Sequence, residues 1–512
     1  GAAGTGLYYT NDDFRHLTIA LQRCGTAGAV TVQVAYHYQR MLSREYATEE
    51  ERKQAKRECD LQCANIVLAG LQKLGGIYVK LGQHISAMMY ILPVEWTSTM
   101  AALQDRCEAS SAQDIRELFS SDYGESLDDI FEEFDWRPLG VASLAQVHRA
   151  RLRPLRDGTR LGNDGWVAVK LQHPRLDEFA KIDLATVTFI VTTIKRVFPD
   201  FGFEWIMHEM RESLPQEMDF RHEAKNAHQV ARNFAAECKK GTTPLVIPEI
   251  IWARRRIMCM EFIEGARIDD LEYMKRHNID AASVSKELSA IFSKMMFLDG
   301  FVHCDPHPGN VLIRPAKNPK HSSFNFDLVL LDHGLYRTLT DDLRTNYAHL
   351  WTSLIKGDEE GIRTYALLVG CKANTHRLFA SLLTGREWQT IQSADLSSLR
   401  SDTEMERVSG RASGFLLKVA DILATLPRVV LLLLKTSDLL RSLDETLRVS
   451  VGDHMTYIIM GRYCAKAVWL ESKKRVLDMM STTGVTWHLF KQLSNAWWEY
   501  HSLELGLWLY QL

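Results

Sequence analysis

Leu61, Ala64, Leu68, Leu71 and Leu74 recur at three- and four-residue intervals, the spacing of one helix face. The pattern predicts helix over 61–90, closed by Pro93. Residues 1–60 also read as mostly helical and end in the charged run TEEERKQAKRECD (48–60), a solvated face. Two further helices are expected near 94–107 and 111–121, the second capped by Ser110 or Ser111. Near residue 133 the period changes. VASLAQVHRARL (141–152) and GWVAVKLQ (165–172) alternate as strands do, joined by the turn-rich RPLRDGTRLGNDG. Helix resumes over 177–197 and over 204–237, with an interruption at Pro215. PLVIPEII (244–251) and RIMCMEFIEG (256–265) read as strands. From 282 onward the pattern is helical except around 301–314 and 326–337.

This order places a small strand-rich region before a larger helical one, with the joint near 260–268. Two such lobes with a cleft between them suit nucleotide binding. Composition changes the picture little: 512 residues, 46% hydrophobic and 24% charged, are ordinary for a folded chain. A net charge of −3 gives no basic field for nucleic acid. The nine cysteines form no CxxC pair, so free thiols are expected. The longest apolar run, VVLLLL (429–434), is too short to span a bilayer. The chain begins at Gly1 without methionine, which leaves an upstream targeting or spanning segment open.

The candidate chemistry lies in FVHCDPHPGNVLIR (301–314). Asp305 and Asn310 have the D-x-x-x-x-N spacing of a phosphotransferase loop. Asp305 would accept the substrate proton, and the Asn310 amide oxygen would take Mg²⁺. Asp332, after the apolar strand LVLL and before a glycine, would be the second metal ligand. Upstream, VAVK ends in Lys170, a cation for phosphate oxygens, with Glu223 as the acidic partner that holds it. In CMEFIEG the backbone groups of Glu261 and Ile263 are placed to meet an adenine edge. Each motif alone is weak, but their order along the chain is specific. A zinc site on His303 and His307 is disfavoured because Pro306 and Pro308 exclude a regular helix there. His303 is expected to brace the loop instead. No glycine-rich motif precedes Lys170; PLGVASLAQVH stands there, offering Ala142 and Ser143 to the phosphates.

From about residue 60 to 345 the chain resembles the ABC1/aarF/UbiB family of unorthodox protein-kinase-like proteins. KLGQ (80–83), VASLAQVH (141–148), EMD (217–219), HCDPHPGN (303–310) and DHG (332–334) carry the resemblance. Gly140-Val141-Ala142 departs from the fuller alanine run frequent in the family. The resemblance implies an α+β, bilobal protein-kinase-like fold with a small β-rich N-lobe, a helical C-lobe and an N-terminal helical extension carrying KxGQ. The corresponding segments are 1–125 (extension), 126–262 (N-lobe), 263–450 (C-lobe) and 451–512 (C-terminal helical extension). It implies ATP and Mg²⁺ as cofactors. It also implies that Lys80 and Gln83 reach Glu217 and Asp219, covering a pocket that admits ATP and a small or lipidic co-substrate but no polypeptide. GGIYVKLGQHISAMMYILPVEW is similar to the mitochondrial branch linked to lipid homeostasis, as distinct from the coenzyme Q branch, and implies association with the inner membrane. Two alternatives stay open: a nucleotide-gated module that grips a lipid or partner with little turnover, and a small-molecule hydroxyl kinase like those for aminoglycosides or choline. Trp487, Phe490, Leu493, Trp497 and Trp498 recur at roughly helical spacing and suit either a membrane interface or packing against the N-terminal extension.

Overall fold

The computed structural model describes residues 12–86, 92–103, 109–155, 159–162, 164–174, 176–197, 204–394, 422, 425–447 and 455–509. Its elements run α1 (Asp12–Leu42), α2 (Glu49–Leu74), α3 (Ile77–Ser86), α4 (Val94–Met100), α5 (Ala112–Asp122), α6 (Leu127–Ile130), β1 (Phe131–Phe134), β2 (Gly140–Val141), β3 (Ala145–Leu152), β4 (Trp166–Gln172), α7 (Leu176–Val197), α8 (Glu204–Glu217), α9 (Phe220–Asn233), α10 (Ala235–Lys240), β5 (Leu245–Val246), β6 (Ile250–Ala253) and β7 (Ile257–Glu261). The chain continues through β8 (Ala266–Arg267), α11 (Leu271–Arg276), α12 (Ala281–Ser293), β9 (Phe301–His303), β10 (Val311–Pro315), β11 (Phe326–Leu330), β12 (Tyr336–Thr338), α13 (Asp341–Lys356), α14 (Glu359–Leu368), α15 (His376–Thr384), α16 (Trp388–Gln392), α17 (Arg428–Leu447), α18 (Met455–Thr483) and α19 (Trp487–Leu509). It divides into two compact units: residues 1–224 with 249–262, and residues 225–248 with 263–512.

The first unit is built on an antiparallel sheet of order β1-β3-β4-β7-β6, with β2 on β3. Alternation along β4 sets its two faces. Val167, Val169 and Leu171 point one way, into a core with Ile115, Leu118 and Phe119 of α5. Ala168 points the other way, with Met258 and Met260, toward Phe220 and Ala224 of α9. Lys170 shares that second parity. Helix α5 starts where the sequence predicts: Ser111 accepts from the Asp114 amide and Asp114 returns the bond, a capping box.

Three expected elements are corrected. The helix predicted over 61–90 is two helices, because Gly75 and Gly76 both take positive φ (66° and 51°) and turn the chain between them. Pro215 does not interrupt its helix; α8 runs through it to Glu217. The break comes at Asp219, whose carboxylate accepts from the Arg221 amide and opens α9. PLVIPEII is not one strand. It splits at Pro248, giving β5 to the second unit and β6 to the first. Of the helix expected over 94–107, α4 and a 3₁₀ turn at Ala101–Leu103 are present, and 104–107 lies outside the described residues.

The second unit holds a four-stranded sheet of order β5-β11-β10-β8 and the small ribbon β12-β9. Every residue of β11 is buried. Helix α13 buries Tyr347, Leu350, Trp351 and Leu354, and α17 buries Leu432, Leu433, Thr436 and Leu440. Among the described residues no helix is long and apolar enough to cross a membrane, and every cysteine is a free thiol.

Candidate functional site

In the first unit the register of β4 delivers Lys170 to the α9 face, where its Nζ lies 2.7 and 2.9 Å from the two oxygens of Glu223. Glu223 is buried, and the Lys170 ammonium also sits 5.4 Å from the Phe220 ring centre. The charged pair is thereby shielded from water, where such a contact is strongest. Lys80 of α3 makes a second pair, 2.7 Å from Glu217 at the end of α8. The other Glu217 oxygen is buried without a protein hydrogen-bond partner.

Gln83 does not join this pair, contrary to the expectation. Its amide donates to the Leu103 carbonyl at 3.0 Å and its oxygen accepts from Ser143 Oγ at 3.3 Å. Asp219 is likewise taken by Arg221, through the guanidinium and the amide. The Arg221 bond draws its carboxyl below the usual range. Gly82 has a steric cause: a Cβ there would collide with side-chain carbons of Leu103 and Leu71.

The loop that stands in for a glycine-rich motif is held by hydrogen bonds the sequence did not reveal. The Ala142 amide donates to the Ala145 carbonyl at 2.8 Å. The Ala142 carbonyl lies 2.9 Å from His173 Nε2, whose Nδ1 meets Ser110 Oγ at 2.8 Å. Burial lowers the His173 imidazole below its ordinary range, so the neutral ring donates at Nε2 and accepts at Nδ1. Gln146 links the Ser110 amide to the buried His148, whose Nδ1 donates to the Asp135 carbonyl. At the end of β7, the Glu261 amide is already donated to the Glu249 carbonyl.

Ile263, buried, begins the second stretch of the second unit. There the loop after β9 is organised by His303. Its Nε2 donates to the Asp332 carbonyl at 2.9 Å, and its Nδ1 accepts from the Asp305 amide at 3.3 Å. Burial depresses this imidazole, consistent with a neutral brace. His303 thereby ties the Asp332 carbonyl to the Asp305 amide, a bracing geometry. Asn310 donates its amide nitrogen to the Asp305 carbonyl at 3.0 Å, which fixes the side chain; its oxygen is the atom that could hold a metal. Asp332 accepts from the Gly334 amide at 2.7 Å. His333 is buried, with Nε2 on the Leu330 carbonyl and Nδ1 on Tyr336 Oη. Asn226 holds its carbonyl. Sequence reasoning missed Lys435 of α17, whose ammonium lies 2.9 Å from Asp305 Oδ1.

Residues 102–366 match the ABC1 atypical kinase-like domain. The chain belongs to the ABC1 family. The match covers the stretch from the approach to α5 into α14, and so takes in Lys170, Glu217, Glu223, Asp305, Asn310 and Asp332. The ABC1 family protein MCP2 homolog of Schizosaccharomyces pombe is 43% identical over 84% of this chain and 76% of its own length. AarF domain-containing protein kinase 1 of Mus musculus is 38% identical over 92% and 87%. Among solved structures, the Rv3197–erythromycin complex from Mycobacterium tuberculosis aligns with a TM-score of 0.48 and 19% identity, covering 77% of this chain and 95% of that one. This ABC1 protein is therefore kinase-like and α+β, with two compact units that each carry part of the motif set.

Proposed function

We propose that this chain is an ATP- and Mg²⁺-dependent phosphotransferase or ATPase. The observation that carries the reading is the shielded Lys170–Glu223 pair at 2.7 and 2.9 Å, which holds the ammonium in one place at the end of β4. Lys170 binds phosphate oxygens. Asp305 takes the proton of the attacking O–H as the new O–P bond forms at the terminal phosphorus. The bridging P–O bond to ADP then breaks. Asn310 and Asp332 are both hard oxygen donors and fit Mg²⁺, which when bound supplies positive charge to the phosphates. Glu261 and Ile263 contribute backbone groups for adenine, and Ala142 and Ser143 line the phosphate approach. Residues 1–125 act as the extension that carries Lys80, 126–262 and 263–450 as the lobes, and 451–512 as a C-terminal helical addition. The co-substrate is water, a small molecule or a lipid.

A nucleotide-gated binding role with little turnover is the second reading, favoured by the Lys80–Glu217 pair that ties α3 to the end of α8. Contact with a membrane surface is supported by Trp487, Phe490, Trp497 and Trp498 of α19, which are 79%, 52%, 48% and 68% exposed. Mitochondrial inner-membrane association and a role in lipid homeostasis follow from the resemblance to the mitochondrial branch. Incubating the protein with Mg-ATP, with and without liposomes, tests the main reading. Phosphate release that disappears in Asp332→Asn is expected. No release and no nucleotide-dependent stabilisation, or full activity in that variant, would overturn it.

A further inference from the structure

We propose that Lys435 binds the terminal phosphoryl group of the nucleotide, an assignment that rests on the phosphotransferase reading. Its ammonium contacts Asp305 Oδ1 at 2.9 Å, although the two residues are 130 positions apart. Lys435 is the sole charged residue between Val429 and Ser437, in a helix that buries Leu432, Leu433, Thr436 and Ser437 around it. Placing a lysine there costs desolvation that an apolar residue would avoid, and the contact with Asp305 offsets that cost.

Two further observations point to a ligand rather than a structural tie. The side chains of Lys435 and Asp305 are 22% and 27% exposed, so the pair opens to solvent. An ammonium has three donors, and among the described residues Asp305 is the one hydrogen-bond acceptor of Lys435. Between His303 and Asn310 the loop carries no lysine or arginine. His303 is buried between the Asp332 carbonyl and the Asp305 amide. His307 stands 3.9 Å from the other Asp305 oxygen, and its Nδ1 accepts from the Gly309 amide. Prolines fill positions 306 and 308.

Charge that develops on a phosphoryl group in flight needs positive groups aimed at it. Lys435 meets that need from α17. It keeps one donor on Asp305 and turns another to a terminal phosphate oxygen. The nucleophile's proton passes to Asp305 while the O–P bond forms and ADP departs with the electrons of the broken P–O bond. Lys435 lies beyond the stretch matched by the family domain, residues 102–366.

The test uses the full chain as wild type, Lys435→Met and Lys435→Arg. Each is titrated by calorimetry with Mg-ADP and with a non-hydrolysable β,γ-imido ATP analogue in the presence of Mg²⁺. Loss of one charge-assisted bond weakens binding by about 10- to 100-fold. That loss is expected for the analogue in Lys435→Met, while ADP affinity stays within about twofold; Lys435→Arg recovers most of the loss. The ADP titration also reports the folded fraction, so Lys435→Gln gives the same ratio if the methionine variant folds poorly. Equal loss for both nucleotides, or none for either, overturns the assignment alone. A wild type that binds both nucleotides yet releases no phosphate refutes turnover, and a selective loss of the analogue still upholds Lys435. A wild type that binds neither overturns both.

Discussion

Replacing Lys80 by methionine isolates the contribution of the pair that joins α3 to α8. Glu217 is 9% exposed on its side chain, and one of its oxygens already lacks a protein hydrogen bond. Lys80, 20% exposed, meets the other oxygen at 2.7 Å. Methionine keeps the length of the stem and removes the charge, stranding a nearly buried carboxylate. Breaking a buried pair from one side costs about 3–5 kcal/mol; the partial exposure of Lys80 brings the expectation to roughly 2–3 kcal/mol. For a unit of about this size, each kcal/mol moves the midpoint by about 2–4 °C, so a fall of roughly 5–10 °C is expected. Thermal unfolding followed by circular dichroism measures the fall, and hydrogen exchange over Ile77–Ser86 localises it. The double variant Lys80→Met/Glu217→Leu removes the stranded charge as well and should regain most of the loss. The reasoning is refuted if Lys80→Met melts within about 2 °C of wild type, a shift below one kcal/mol, or if the two substitutions simply add.

Gly82→Ala pushes a methyl group into Leu103 and Leu71. It should destabilise α3 by about 1–3 kcal/mol despite the better helix propensity of alanine, and the added change Leu103→Ala should relieve part of the strain in the same melt. Glu223→Gln replaces the carboxylate that contacts Lys170 with a neutral amide; ATP turnover should fall by about 10- to 100-fold, one to two times 1.4 kcal/mol in barrier, in a phosphate-release assay. Acid should weaken the first unit, because burial lowers the His148 and His173 imidazoles. The unfolded chain then binds protons that the folded chain refuses, so stability is full above about pH 6.5 and declines as pH falls toward the depressed folded values. Melting points measured from pH 8 to pH 5 should show the decline, and His148→Gln should flatten it.

Much of the candidate site was legible because period-two alternation does not depend on tertiary detail. Once VAVK is a strand buried on both faces, Lys170 shares its parity with Ala168 and must face α9. Ser110 and Ser111 were both legible as caps for α5, and the bond to the Asp114 amide selects Ser111. The misses have a common physical character. Gly75 and Gly76 sit inside an unbroken apolar helical pattern, and only their positive φ angles end the helix. Pro215 does not break its helix, and Asp219, four residues on, offers the backbone the exit through its carboxylate. Asp219 could not be told from a partner for Gln83 until Arg221, two residues away, was seen to claim it. Lys435 carried no local signal at all. Its meaning comes from a contact 130 residues back along the chain, and no window of sequence contains both ends.

The division of PLVIPEII at Pro248 has a consequence for how the polypeptide is made. The first sheet lacks β6 and β7 until residue 261 has left the ribosome, so its early strands wait with an unpaired edge at β4. Strand β5 meanwhile emerges before its partner β11, some eighty positions downstream by the residue numbers of the pair Leu245–Leu328. Neither half can therefore mature strictly from its amino end, and cutting the gene once after Pro248 would strip the first unit of β6 and β7 and the second of α10 and β5.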